Sequence, residues 1–204
     1  MKNPAPVRSE FRDWVDKHPD PAWEALPLTH IAKGVTARDI VTSGRLEPSH
    51  CDVLDAELIY CFYGRPAYRV GGDGSVKQEA LCPYCFIFSP DLINRAREIH
   101  AFDTGAHGKR LFSHVLAEEF SVSDFSLGRD AKRADRLIGA TFGSKSAYFE
   151  GDVSEVGDPN SISSAWEFQT RAYLSLITSP GRNEPDDRVY TVEVNFADPI
   201  SLEG

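Results

Sequence analysis

Apolar residues fall in short bursts along this chain, and the period of each burst predicts an element. Alternation is clearest between Arg188 and Phe196, where Val189, Thr191, Glu193 and Asn195 alternate with Tyr190, Val192, Val194 and Phe196, the period of a strand. Leu26 to His30 and Glu57 to Tyr63 predict two more strands. Ala80 to Ser89 is an apolar run stopped by Pro90 and predicts a buried fourth. Gly71-Gly72-Asp73-Gly74 carries the residues of a hairpin turn. Helical spacing predicts Pro6 to Asp16, with Phe11, Trp14 and Val15 on one side, then Pro90 to Ile99 and Asp130 to Ile138. A further short helix follows His30, with Thr36 as its N-cap, Val35 and Ile40 as apolar anchors and Gly44 in the left-handed position after its last turn. Trp166 to Ile177 is apolar with an ambiguous period. Strands interspersed with helices predict an α+β fold with a mainly antiparallel sheet. Residues 1–204 read as a single domain, in which 1–25 form an N-terminal helical extension ending in the connector Pro19-Asp20-Pro21.

Composition narrows the class. A hydrophobic content of 41% over 204 residues suffices for a substantial core. No apolar run reaches transmembrane length, and Met1-Lys2-Asn3-Pro4-Ala5-Pro6 lacks the apolar centre of a signal peptide, so the expected location is the cytoplasm, with no membrane partner. The formal charge of −9 argues against a surface devoted to nucleic acid, because phosphate neutralisation needs clustered cations. Arg129, Lys132, Arg133 and Arg136 do share one helical face, but Asp130 and Asp135 dilute it, and a solvated face is the expected role.

Four cysteines permit three readings. Cys82-Pro83-Tyr84-Cys85 has the spacing of a redox dithiol, but Phe86-Ile87-Phe88-Ser89-Pro90 follows it where a helix N-terminus would be needed to lower a thiol pKa. Zinc held by Cys51, Cys61, Cys82, Cys85 or His50 has one C-x2-C pair and only isolated partners for it. Reduced cysteines that fill the core are the expectation, with no metal site.

The chemistry concentrates in three segments. Leu28-Thr29-His30 ends a strand, Ile40 lies ten residues on, and Gly44-Arg45-Leu46 begins four further. Leu58-Ile59-Tyr60-Cys61-Phe62-Tyr63 is followed by Gly64-Arg65-Pro66-Ala67-Tyr68, a loop that joins turn residues, a cation and an aromatic ring. Glu184-Pro185-Asp186-Asp187-Arg188 precedes the alternating strand. Together these segments resemble the ADP-ribosyltransferases of the H-Y-E group, which includes poly(ADP-ribose) polymerases, RNA 2′-phosphotransferases and bacterial DNA-modifying toxins. The resemblance implies a split β-sandwich with peripheral helices and NAD, as substrate, in a central cleft. His30 would bond the adenosine ribose, Tyr60 and Tyr68 would enclose the nicotinamide, and Arg65 would meet a pyrophosphate oxygen. Asp187 or Glu184 would stabilise positive charge on the nicotinamide ribose as its glycosidic bond breaks. ADP-ribose would pass to water or to an acceptor the sequence does not name.

Two other expectations stand beside that one: a noncatalytic nucleotide-binding or protein-interaction module on the same fold, and a zinc-stabilised binding domain. Asp103-Thr104-Gly105 resembles the triplet of aspartic proteases, but it occurs once in a chain too short for their two lobes. It is expected to form a structured loop near the cleft, with His107 or His114 available to orient substrate. Ser144-Lys145-Ser146-Ala147-Tyr148 comes too late in the chain for the polymerases' serine-lysine-serine loop.

Overall fold

A computed structural model describes residues 9–67, 78–158, 166–178 and 187–203. Nine strands and six helices lie in these segments: α1 (Glu10–Asp16), β1 (Leu28–Lys33), α2 (Gly34–Ser43), β2 (Arg45–Leu46), β3 (Ser49–Cys51), β4 (Ala56–Tyr63), β5 (Pro83–Phe88), β6 (Glu98–His100), α3 (Thr104–Gly108), β7 (Ser126–Gly128), α4 (Ala131–Phe142), α5 (Lys145–Glu150), α6 (Phe168–Ile177), β8 (Glu193–Phe196) and β9 (Ile200–Ser201). The main sheet is antiparallel and runs β5-β1-β4-β8-β6-β7, with β3 pairing the outer half of β4; β2 and β9 form a separate pair. An α+β fold with a mostly antiparallel sheet and peripheral helices is therefore what the alternation predicted.

Register separates the sheet into two chemically different faces, because directly paired residues project to the same side. Leu28 pairs with Tyr63, Cys61 with Val194 and through it Ile99, and Ile59 with Phe196. These seven residues lie in the main apolar core with Phe11, Phe102, Phe125, Phe142 and Tyr173. The opposite face carries Thr29, Phe62, Glu193, His100 and Ser126 in one row, and Tyr60, Asn195 and Glu98 in the next.

β1 and β4 pair only at Leu28↔Tyr63 and Thr29↔Phe62, and then part: β1 continues along β5, while β4 continues along β8 and β3. The split matters, because it opens the sheet immediately after Thr29, at His30.

The expected N-terminal extension is built into the core. Phe11 and Val15 are fully buried, and Glu10 accepts the amides of Gln169 and Thr170 and the hydroxyl of Thr170, capping α6. The cationic face of α4 is satisfied by the same segment: Arg133 makes a two-pronged pair to Asp16, and Arg136 and Lys132 both reach Asp20.

Four local expectations need correction. α2 starts at Gly34 rather than after Thr36, because the Cys82 carbonyl accepts the Gly34 amide at 2.9 Å and does the work of a hydroxyl cap. No side chain would fit at Gly34 without crowding, since a Cβ there would lie 3.0 Å from the Glu79 carbonyl oxygen. Val35 is exposed while Ile40 is buried, and Gly44 takes the expected left-handed conformation, φ 71°. β5 is an edge strand with Tyr84, Cys85 and Ile87 outward, so its apolar run is not buried throughout. Pro90 to Arg95 is a 3-10 turn capped by Ser89, and residues 98–100 are drawn into the sheet between β8 and β7 instead of extending a helix. The ambiguous Trp166 to Ile177 segment is helical from Phe168, and the late strand begins at Glu193 after a 3-10 turn at Asp187–Val189. The expected turn at residues 71–74 lies outside the described residues.

Candidate functional site

At the split between β1 and β4 lies a cleft of about 410 Å³, lined by His30 and Tyr60 and by Thr36, Asp39, Ile40 and Arg45 from α2 and β2. The local fold explains the gathering. α2 packs against β1 through Ala37 and Ile40, and the turn at Gly44 brings Arg45 back towards the strand. His30 sits at the opening, with its Nδ1 2.7 Å from the Tyr60 carbonyl oxygen. A carbonyl can only accept, so Nδ1 carries the proton and Nε2 is left as an acceptor. Burial lowers the His30 pKa, against the opposing pull of that carbonyl, and the ring is neutral near pH 7.

Tyr60 is the wall between this cleft and the polar face of the sheet. Its hydroxyl is buried without a partner of hydrogen-bonding geometry among the described residues, and burial first, then the neighbouring Cys51 thiol, raises its pKa. Behind it stands a polar layer that is almost wholly sealed: Glu193, Asn195 and His100 are each 1% exposed. Glu193 Oε2 accepts the Thr104 amide at 2.9 Å and Oε1 accepts the Thr104 hydroxyl at 2.8 Å. Burial raises its pKa well above the carboxylate range, and nearby Asp103 and Cys51 add to the rise while Thr104 opposes it. His100 lies between two acids, Nδ1 3.9 Å from Glu193 and Nε2 3.9 Å from Glu98, and burial pushes its pKa down to about 4. Ser126 donates to Glu98 at 2.6 Å. Neither atom of the Asn195 amide has a partner among the described residues.

The roof over this layer comes from two turns. Asp103 caps α3 through the Ala106 amide, which sets Thr104 on Glu193, and the β3–β4 hairpin meets α3 at Gly108. A Cβ at Gly108 would lie 2.4 Å from Val53 Cγ2, so the hairpin can settle there only against glycine.

The expected site residues have mixed fates. His30 and Tyr60 come together on the cleft. Arg65 does not join them: it is buried, donates to the Tyr148 carbonyl at 2.8 Å and stacks over the Tyr148 and Tyr190 rings. The cation on the cleft is Arg45, in an ion pair with Glu47. Tyr68 and Glu184 lie outside the described residues, and Asp187, described by its backbone, opens the 3-10 turn before β8. His107 stacks on Phe102 in the core, and Ser144 caps α5, whose Tyr148 donates to the Tyr63 carbonyl.

Sequence reasoning did not single out Glu193, Asn195 and His100, while Thr104 lies in the loop it expected near the cleft. Their signal was present as Glu193 and Asn195 alternating with Val192, Val194 and Phe196. Alternation marks opposite faces; it does not say that both are covered. Among the described residues no group of three or more His, Cys, Asp and Glu side chains gathers as a metal site, and burial raises the Cys85 thiol rather than activating it. No described helix is long and apolar enough to cross a membrane. A larger groove of about 780 Å³ beside α1, lined by Asp13, Lys17, Phe120, Trp166 and Phe168, is open and holds none of the expected site residues. Compared with protein-family models, curated proteins and solved structures, the chain matches none.

Proposed function

We propose that the chain is an NAD-dependent ADP-ribosyltransferase of the H-Y-E kind, and that its acid is Glu193 rather than Asp187 or Glu184. One observation carries the reading: His30, Tyr60 and Glu193 occupy three successive strands, β1, β4 and β8, around the point where the sheet splits. His30 and Tyr60 line the cleft, and on this reading a ligand there meets Glu193 only when the layer sealed beneath Thr104 opens. Neutral His30 offers Nε2 to a ribose hydroxyl, Arg45 supplies the cation for a pyrophosphate oxygen in place of Arg65, and the electron-rich Tyr60 ring faces the pyridinium. On this reading the antiparallel sheet is the split β-sandwich that the resemblance implies.

The reaction breaks the bond between the nicotinamide nitrogen and ribose C1′. Its electron pair leaves with nicotinamide, and an oxygen or nitrogen of the acceptor, or water, forms the new bond to C1′ and gives up its proton. Positive charge grows on the ribose as the old bond lengthens. In the proposed reaction Glu193, held by two bonds from Thr104, acts as the carboxylate, its proton passed to solvent before the bond breaks, and that charge would count for more in the breaking state than in the ground state.

The test is nicotinamide release from NAD by wild type, Glu193→Gln, Asp187→Asn and Glu184→Gln. Loss of release in the first variant with retention in the other two is expected. Loss in Asp187→Asn or Glu184→Gln alone returns the acid to the turn before β8. A noncatalytic nucleotide-binding module is the second reading, favoured by the closure over Glu193, and NAD binding without release by wild type would select it.

A further inference from the structure

The groove of about 780 Å³ beside α1 is flanked by two rings that the fold leaves bare: Trp166 is 78% exposed, and Phe168, the first residue of α6, is 50% exposed. Their planes meet at 87° with centroids 6.0 Å apart, so the pair makes an open aromatic corner. Large rings exposed side by side are the composition of a contact surface.

Charge says what kind of contact it is. Among the described residues lining the groove, Glu10, Asp13, Glu119 and Glu167 are acids and Lys17 is the one cation. Glu10 is engaged by the α6 amides, and Glu167 takes Lys17 Nζ at 3.0 Å, an ammonium already seated among these carboxylates. Asp13 and Glu119 stand exposed on the same groove. The whole chain carries a formal charge of −9, so the field here attracts cations and repels phosphates, acidic segments and a second copy of the chain.

We infer that this groove docks a basic segment of a partner protein, with a lysine or arginine side chain laid in the corner of Trp166 and Phe168 and neighbouring cations of the segment paired with Asp13 and Glu119. A guanidinium or ammonium over an indole face gains from the ring quadrupole, and the carboxylates of the groove supply the charge it loses on leaving water. The inference is independent of the reaction proposed above, since no residue lining this groove lines the cleft at the sheet split.

The experiment titrates fluorescein-labelled oligoarginine, oligolysine and oligoglutamate of equal length with the full chain, read by fluorescence anisotropy at low and raised salt. Wild type is expected to bind both cationic peptides and not the acidic one, more weakly as salt rises. Trp166→Ala removes an exposed ring and leaves the net charge alone, and it should weaken binding about 5- to 10-fold while unfolding at the same temperature as wild type. Asp13→Asn with Glu119→Gln should weaken binding more than Asp52→Asn with Glu203→Gln, which makes the same change in net charge at residues outside the groove. Equal affinity in wild type and Trp166→Ala would mean diffuse attraction to an acidic surface and would overturn the inference, as would equal effects of the two charge-neutralising pairs. Absence of binding of either cationic peptide to folded wild type at millimolar concentration would overturn it without recourse to any variant. Self-association in sedimentation that Trp166→Ala abolishes would give the groove to a second copy of the chain and overturn it as well.

Discussion

Replacing Glu193 with Gln separates chemistry from folding more cleanly than any other change at this site. The side chains have nearly the same shape, and the Gln oxygen can accept one of the two Thr104 bonds. Its nitrogen then faces the Thr104 hydroxyl, which accepts as readily as it donates. One bond reverses polarity at most, a cost of about 1 kcal/mol, or roughly 2–4 °C in a domain of this size. The electrostatic loss in bond breaking is larger: removal of one preorganised charge partner costs about 3–4 kcal/mol, a fall of about 100- to 1,000-fold in turnover. The pH dependence adds a second readout. Burial holds the folded Glu193 carboxyl protonated to a higher pH than in the unfolded chain. Wild type therefore loses stability as pH rises from the ordinary carboxylate range through the folded pKa, and Glu193→Gln escapes that loss. Unfolding midpoints at pH 5 and pH 8, with nicotinamide release measured in parallel, decide the matter. The variant should gain on wild type between the two pH values while its turnover collapses. Equal pH dependence of the two proteins, or turnover within a few-fold of wild type, would refute the reasoning.

Phe11→Ala should destabilise the fold by about 3–5 kcal/mol, since the ring is fully buried against Trp14, Phe125 and Tyr173; a midpoint unchanged in chemical denaturation would show the N-terminal helix to be separable. The Cys82→Ser, Cys85→Ser double variant should keep NAD chemistry, because Pro83 begins a strand and no helix N-terminus activates Cys82; loss of activity with the fold intact would restore a thiol role. His100, pushed down to about 4 by burial, contributes stability that is present above pH 6.5 and is lost as pH falls towards 4. His100→Gln should therefore flatten the acid limb of the stability profile between those values, and a limb of unchanged steepness would place the acid sensitivity elsewhere.

Much of the cleft was legible because its signals are local. The strand runs on to Lys33 instead of ending at His30, but the helix anchored by Ile40 and the turn at Gly44 follow closely, set by packing and backbone chirality, and the sequence spacing transmits them directly. The proposed acid was not legible for the opposite reason. Glu193 reads as the outward side of an amphipathic strand until β8 is known to lie between β4 and β6 with Thr104 folded over it, and such pairings join residues from about 90 to more than 130 positions apart. Arg65 misled in the same way, since its partner is the Tyr148 carbonyl on a distant helix. The cations of α4 found Asp16 and Asp20, across more than a hundred residues, where the local pattern offered only solvent.

The central claim is that the split beside His30 and Tyr60 binds NAD, and titration calorimetry on folded wild type and His30→Ala tests it most directly. The account predicts saturable binding at one site per chain, weakened about 5- to 10-fold in His30→Ala by loss of one ribose hydrogen bond of about 1 kcal/mol or slightly more. Absence of binding to folded wild type at millimolar NAD, or equal affinity in the two proteins, would contradict it.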